Sequence, residues 1–221
     1  MSGMKKHGQP NPYYSVSLHI GDKRCVVIGG GQVAHRKVKT LLEHQAIVEV
    51  ISPDPCLELC QLDKTGKIRL LRRGYRVGDL QGAFIAIAAT NDSDTNSEIV
   101  AEARKATVLI NVVDNAEKSD FILPSHIRRG DFTIAISTAG RSPALARKIR
   151  TRLERDFGDE YDSLALLIDE VRTEIKRQGI KVNGDDWQEA LDLDLLVDLV
   201  KKGSTEKAKA VLLNNLMIRG K

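Results

Sequence analysis

The 221-residue sequence predicts a Rossmann-like, doubly wound parallel α/β sheet, followed by a small α+β segment and a C-terminal helical domain. Three observations carry this expectation. Apolar runs of strand length alternate with stretches of helical spacing over the first half of the chain, which is the pattern of βαβ units. One run, AFIAIAAT (83–90), is almost wholly apolar, as a strand covered on both faces requires. Beyond Asp114 the pattern changes to two short alternating runs and then to helical periodicity up to the C-terminus.

Taken in order, residues 1–12 are polar and broken by proline, and read as a mobile leader. Tyr13 to Ile20 alternates like a strand, and Gly21-Asp22 turns it into the next run, so a hairpin-like entry is expected. RCVVIG is a buried strand, GGGQVA a tight glycine turn and VAHRKVKTLLEHQ a helix with Ala34, Val38, Leu41 and Leu42 on one face. AIVEVISPD is the second strand. PCLELCQLDKTGK is a short helix ended by Gly66, and Ile68 to Arg72 is the third strand, with Arg72 and Arg73 at its C-terminal end. After AFIAIAAT, Asp94 to Ala106 is a helix burying Ile99, Val100 and Ala103, and VLINVVD is a fifth strand ending at Asp114. Right-handed crossovers then wind the sheet on both faces.

Phe121 to Pro124 and Asp131 to Ser137 are expected as strands around Arg128-Arg129-Gly130. FTIAIST alternates, so one face should be buried and the other available to a second subunit. Ser142-Pro143 supplies N-cap and first position of the helix ALARKIRTRLERD, with Leu145, Ile149 and Leu153 on one stripe. A further helix follows Gly158, with Leu164, Leu167, Ile168, Val171 and Ile175 aligned, and ends at Gly179. DDWQEALDLDLLVDLV and STEKAKAVLLNNLM read as two more short helices. The expected domains are 1–114, a dimerisation and substrate segment at 115–150, and a helical domain at 151–221.

Composition bounds the function. Hydrophobic residues make up 42% and charged residues 29%, ordinary for a globular domain. No apolar run reaches the ~20 residues of a membrane helix, and the N-terminus has no signal-peptide core, so a cytoplasmic protein with no membrane partner is expected. Cys25, Cys56 and Cys60 do not suggest a disulfide framework. Cys56 and Cys60 could share a helix face, but without a nearby histidine pair they make a poor metal site, so no metal ligands are expected. Net charge is +4, with six Arg or Lys against one Glu in 141–155. That stretch suits an anionic partner or a water-facing helix. With aromatics at only 4%, base stacking has little support, and no nucleic-acid partner is expected.

Gly29-x-Gly31-x-x-Ala34 fits the dinucleotide fingerprint: Gly29 for the sharp turn, Gly31 for close approach to a pyrophosphate, Ala34 for tight helix-sheet packing. The helix N-terminus offers free N–H groups to phosphates. Such a string also occurs in plain βαβ turns. Its place between strand and helix, and Asp54 about 20 residues on as a ribose acid, favour NAD. Glu49 is the competing acid but sits inside the strand. Ligands on such sheets lie outside the carboxyl ends of the strands, which puts Gly29 to Gly31, Pro53, Asp54, Thr90, Asn91 and Asp114 on one rim. Thr90 and Asn91 read equally as caps of the following helix.

GGGQVAHRKVKTLL, AATND, NVVD followed by DFILPS, and RRGDFTIAISTAGRSPALARKIR, in this order and spacing, resemble the precorrin-2 dehydrogenase family, the NAD-binding part of siroheme synthase, over roughly residues 13–155. The resemblance implies NAD-dependent oxidation of precorrin-2, a tetrapyrrole, to sirohydrochlorin. It also implies ferrous iron insertion in some members, and a homodimer joined through the central segment. It places NAD contacts on Gln32, Val33, Pro53 and Asp54, the important aspartate on Asp114, and the tetrapyrrole site on Ser137, Thr138, Gly140, Arg141 and Ser142. Thr138 stands where some relatives have serine. No methyltransferase part is present, so the chain is not expected to make precorrin-2 itself.

The chemistry agrees. Removing a hydride from carbon and a proton elsewhere needs a nicotinamide and a base, and Asp114 is the nearest candidate base, its bland alternative being a turn cap. A carboxylate-rich substrate calls for cations. Arg128, Arg129, Arg141 and Arg147 flank the substrate segment, whereas Arg36 and Lys37 read as solvent-facing and His126 as a surface histidine. Two other readings stay open: a nucleotide-sensing module that turns nothing over, and a chelatase with no need of NAD.

Overall fold

The computed structural model describes residues 13–219, so the leader reading of residues 1–12 lies outside them. The chain divides between Leu123 and Pro124 into two compact units.

In the first unit, β1 (Arg24–Ile28), β2 (Ile47–Ile51), β3 (Arg69–Leu71), β4 (Ile85–Ala88) and β5 (Leu109–Val112) form one parallel sheet in the order β3-β2-β1-β4-β5. The crossovers carry α1 (Gln32–Glu43), α2 (Leu57–Lys64) and α3 (Ser93–Ala106). Strand side chains alternate between two cores. Cys25, Val27, Val48, Val50, Ile85 and Ile87 pack with Ala34, Val38 and Leu41 of α1 and Leu59 of α2. Val26, Ile28, Ala86, Ala88 and Ile110 pack with Ile99, Val100 and Ala103 of α3. Both faces are covered, which is why these strands are apolar throughout. Within β2, Glu49 is the buried exception, accepting from Arg24 at 2.7 Å and Arg69 at 3.1 Å. This acid is committed to the sheet, not to the rim.

Two expectations fail here. Tyr13 to Ile20 is not a strand: the segment finds no ladder partner, and Tyr14, Val16 and Leu18 are exposed while Ile20 packs into the core. Alternation supplied the period but not a neighbour with free N–H and C=O groups. Phe121 to Pro124 is likewise irregular; Asp120 accepts from Ile110 N and Phe121 O receives the Asn111 amide, so their hydrogen bonds go to side-chain and turn partners.

In the second unit, β6 (Ser125–Arg129) and β7 (Phe132–Ile136) form an antiparallel hairpin, so Arg128 and Arg129 belong to a strand rather than to the loop between strands. Gly130 turns at φ 52°, and Asp162 closes the turn by accepting from Asp131 N at 3.2 Å. Phe132, Phe157 and Tyr161 stack beside it. α4 (Pro143–Leu153) begins as expected, with Ser142 Oγ accepting from Leu145 N at 3.2 Å. Its buried side is rotated from expectation: Ala146 is enclosed, while Leu145 and Ile149 are exposed. α5 (Glu160–Arg177), α6 (Gly184–Ala190), α7 (Leu193–Lys201) and α8 (Thr205–Arg219) enclose a third core around Leu164, Leu167, Val171, Leu196, Leu212 and Leu216. The tail therefore holds three helices after α5 rather than two. Asp192 divides DDWQEALDLDLLVDLV, expected as one helix, into two, its carboxylate accepting from Leu195 N and restarting the chain as α7.

Candidate active site

All five strands of the first sheet run the same way, so their carboxyl ends share one edge, and the loops leaving that edge hold the first group of expected residues. After β1 the chain turns at Gly29, with φ 127° and a would-be Cβ 2.3 Å from Ala89 O, so only glycine fits. Gly30 is constrained by space alone, since a Cβ there would lie 2.3 Å from Ser52 Oγ and 2.5 Å from Asp54 O. The turn is fastened to both neighbours: Gly29 N donates to Ile51 O at 2.9 Å and Cys56 N to Gly30 O at 2.8 Å. Gly31 differs. Nothing lies within 4 Å of its would-be Cβ, and it caps α1 with no side-chain acceptor. The α1 N-terminus therefore presents backbone donors across open space, the geometry that receives an anionic group.

Gln32 and Val33 open α1. The Gln32 amide donates to Glu58 at 2.9 Å, and this bond, foremost, holds the Glu58 carboxyl below its ordinary range. Pro53 and Asp54 follow β2 and are exposed, with Asp54 N donating to Ser52 Oγ at 3.3 Å. After β4, Thr90 Oγ1 accepts from Asp92 N at 3.0 Å, and Asn96 donates to Thr90 O. The cap of α3 is neither Thr90 nor Asn91 but Asp92, whose carboxylate accepts from Asp94 N at 2.9 Å and Thr95 N at 3.3 Å and bonds the Thr95 hydroxyl. Those bonds, the Thr95 hydroxyl first, keep the Asp92 carboxyl low. Asn91 is left exposed on the rim.

Asp114 lies two residues beyond β5, exposed, in a left-handed conformation with φ 60°. The turn is closed by Asn115 N donating to Val112 O at 3.1 Å, while Val113 N donates to Ala88 O at 2.9 Å. Aspartate tolerates this backbone better than most residues. Sequence reasoning missed one neighbour. Lys37 is half-buried, not solvent-facing, and its charge interacts with those of Arg36 and Asp114. Burial first, then Arg36, pushes the ammonium below its ordinary range, while Asp114 pulls the other way.

The second group lies in the other unit, on the turn between β7 and α4. Ala139 and Gly140 are successive left-handed residues (φ 51° and 75°). Ser137 Oγ accepts from Ala139 N at 3.1 Å, Thr138 Oγ1 from Ser142 N at 3.0 Å, and Thr138 O from Arg141 N at 3.0 Å. The three hydroxyls at 137, 138 and 142 thus build the turn, and the Arg141 side chain is exposed beside it. Arg128 donates to Gly130 O at 2.9 Å and Arg129 pairs with Asp159 at 3.2 Å, so both help shape the hairpin. His126 is exposed.

Among the described residues, no group of three or more His, Cys, Asp or Glu side chains is placed to hold a metal ion. The three cysteines are free thiols. Burial pushes Cys25 up to about 11, which keeps it protonated, and Cys60 Sγ lies 3.2 Å from an Arg72 nitrogen. A cavity of about 660 Å³ lies away from the rim, between His35, Lys39, Leu42 and Glu43 of α1 and Leu62 and Lys67. No helix among the described residues is long and apolar enough to cross a membrane.

Residues 16–125 match the family model described as "Putative NAD(P)-binding", and residues 129–156 match "Sirohaem biosynthesis protein central". The chain is 34% identical over 202 residues to a siroheme synthase of Thioalkalivibrio sulfidiphilus, covering 90% of this chain and 41% of that protein. It is 35% identical over 204 residues to the siroheme synthase of Methylococcus capsulatus, covering 91% and 43%. The chain thus spans under half the length of these relatives. The solved structure of SirC, precorrin-2 dehydrogenase, superposes with a TM-score of 0.69 at 24% identity, covering 93% of this chain and all of that one, and shows the same fold. The chain thus carries both family matches in sequence order and is similar to siroheme synthases over about nine tenths of its own length.

Proposed function

We propose that this chain oxidises precorrin-2 to sirohydrochlorin with NAD. One observation carries the proposal: an uncapped helix N-terminus behind the Gly29–Gly31 turn, an exposed acid at Asp54 and a carboxylate at Asp114 all occupy the carboxyl edge of one parallel sheet. The names of the matched relatives, siroheme synthase and precorrin-2 dehydrogenase, agree with that chemistry.

The open space at Gly31 and the free donors of α1 fit a pyrophosphate. Gln32 and Val33 follow at the helix entrance, Pro53 and Asp54 receive the adenosine ribose, and Thr90 and Asn91 line the rim after β4. Asp54 would repel a 2′-phosphate, which selects NAD over NADP. Bound NAD supplies the hydride acceptor. Asp114 takes the proton released as the macrocycle is oxidised, and its turn, tied to β4 and β5, fixes its direction. The turn at Ser137, Thr138, Gly140, Arg141 and Ser142, with Arg128, is assigned to the tetrapyrrole, Arg141 meeting a substrate carboxylate.

Incubation with precorrin-2 and NAD should yield NADH absorbance and sirohydrochlorin. A folded sample that binds NAD but produces neither would overturn the reading. Adding ferrous iron to a parallel reaction tests siroheme formation, with iron as substrate. Subunit contact through the exposed side of β7 and the exposed Leu145 and Ile149 of α4 is part of the same proposal, and a monomeric mass in solution would refute that part.

A further inference from the structure

We infer that Lys37 is a substrate-binding residue of this rim, its ammonium taking a carboxylate of the tetrapyrrole beside Asp114. The inference rests on the proposed reaction and adds a residue that neither the fingerprint nor the comparisons assign.

Its position follows from α1. His35, Lys39, Leu42 and Glu43 form the flank that lines the cavity with Leu62 and Lys67. Ala34, Val38 and Leu41 form the buried face. Lys37 is two residues past His35, about 200° around the helix, and so belongs to the opposite flank. The β5 end comes to this same side of the sheet, because Val113 packs against the core that contains Ala34 and Val38. Side chains on a helix lean toward its N-terminus, which for α1 is the rim. Asp114 follows Val113 directly, and the charges of Lys37 and Asp114 interact.

The energetics call for an anion. Lys37 is partly removed from water and stands beside a second cation, Arg36. Among the described residues no carboxylate lies within ion-pairing distance of it, although ten other pairs are formed. A cation in that situation is costly until a partner arrives. A carboxylate-rich ring entering beside Asp114 supplies one. The other anion available is the pyrophosphate of NAD. Lys37 is six residues into α1 from Gly31, about 9 Å along the axis, whereas a pyrophosphate sits on the first-turn N–H groups. The substrate is therefore the better match.

The test compares wild type, Lys37→Met and Lys37→Arg. NAD and sirohydrochlorin are titrated separately, and KM and kcat are measured with precorrin-2. Lys37→Met keeps the apolar stem and removes only the charge. It should raise the sirohydrochlorin Kd and the precorrin-2 KM by about tenfold or more, the scale of one charge-assisted hydrogen bond. Its kcat should stay within about twofold and its NAD affinity unchanged, since uniform binding alone is lost. Lys37→Arg should restore most of the affinity. Equal sirohydrochlorin affinity in wild type and Lys37→Met overturns the inference, as does a loss confined to NAD, which would give the ammonium to the pyrophosphate. A wild type that neither binds sirohydrochlorin nor oxidises precorrin-2 sinks the proposed function itself, a distinguishable result.

Discussion

At Asp114, charge and backbone can be tested apart. Replacement by alanine removes the carboxylate but also places a residue less suited to φ 60° in the turn. Asparagine tolerates the same backbone and keeps the shape. Asp114→Asn should therefore retain NAD affinity and thermal stability while losing about 10²-fold or more in turnover, the usual worth of a general base. Unchanged turnover would remove Asp114 from the chemistry. Gly29→Ala and Gly30→Ala have a different expected outcome. Each drives a Cβ against a backbone oxygen, Ala89 O at 2.3 Å for Gly29 and Asp54 O at 2.5 Å for Gly30, so the turn must deform and NAD binding should fall in both. The contrast with Gly31 is informative: open space there makes Gly31→Ala compatible with the fold, so any loss of NAD affinity reports on the ligand side. Gly29, Gly31 and Asp54 were legible in the sequence because a fixed spacing and a backbone requirement mark them. Lys37 was not, because which flank of a helix meets the next strand end depends on how the sheet is ordered, and a single helix pattern does not carry that order.

Elements were legible where one segment contains its own partners. The helix α3 is an instance: its apolar stripe and acidic start are local, although the cap fell on Asp92 rather than on Thr90 or Asn91. Tyr13 to Ile20 shows the opposite case, since a strand exists only if another segment offers a ladder, and none does in the described chain. α4 failed in a third way. Its three chosen apolar positions, Leu145, Ile149 and Leu153, fitted a stripe, but the enclosed side of the helix is at Ala146, one residue along from Leu145. The Asp92 cap also makes a pH prediction. Its carboxyl is held below the ordinary 3.8 in the folded protein by the Thr95 hydroxyl and the backbone N–H groups of Thr95 and Asp94. A depressed carboxyl contributes stability that is complete above its unfolded value and is lost as the pH falls through the folded one. Urea unfolding should therefore show Asp92→Ala less stable than wild type at pH 7, with the gap closing as pH drops below that range. Asn is also a good cap and does not titrate, so Asp92→Asn should keep most of the stability without this pH dependence. A gap that widens on acidification would contradict the assignment.

At the scale of the whole molecule, the chain holds separate cores: two on the faces of the parallel sheet and one among α5 to α8. Removing apolar volume from either region should cost about 2–5 kcal/mol, as buried Ile or Leu to Ala changes do, so Ile87→Ala and Leu212→Ala are comparable injuries in different units. Ligand binding should separate them. NAD, if held by the Gly29–Gly31 turn and Asp54, stabilises only the states in which the sheet is intact, by about 2.7 kcal/mol at a concentration 100 times its Kd. Saturating NAD should then offset much of the loss in Ile87→Ala. In Leu212→Ala it stabilises the first unit but adds no contact to the third core. Hydrogen exchange measures this directly. Amides at 29–34, 52–56 and 89–92 should slow with NAD in wild type and in both variants, whereas those of 193–219 in Leu212→Ala should keep exchanging at their unliganded rate. Protection by NAD spreading into α7 and α8 would mean that the two units unfold as one, and the separate cores would then be a description of packing without thermodynamic independence.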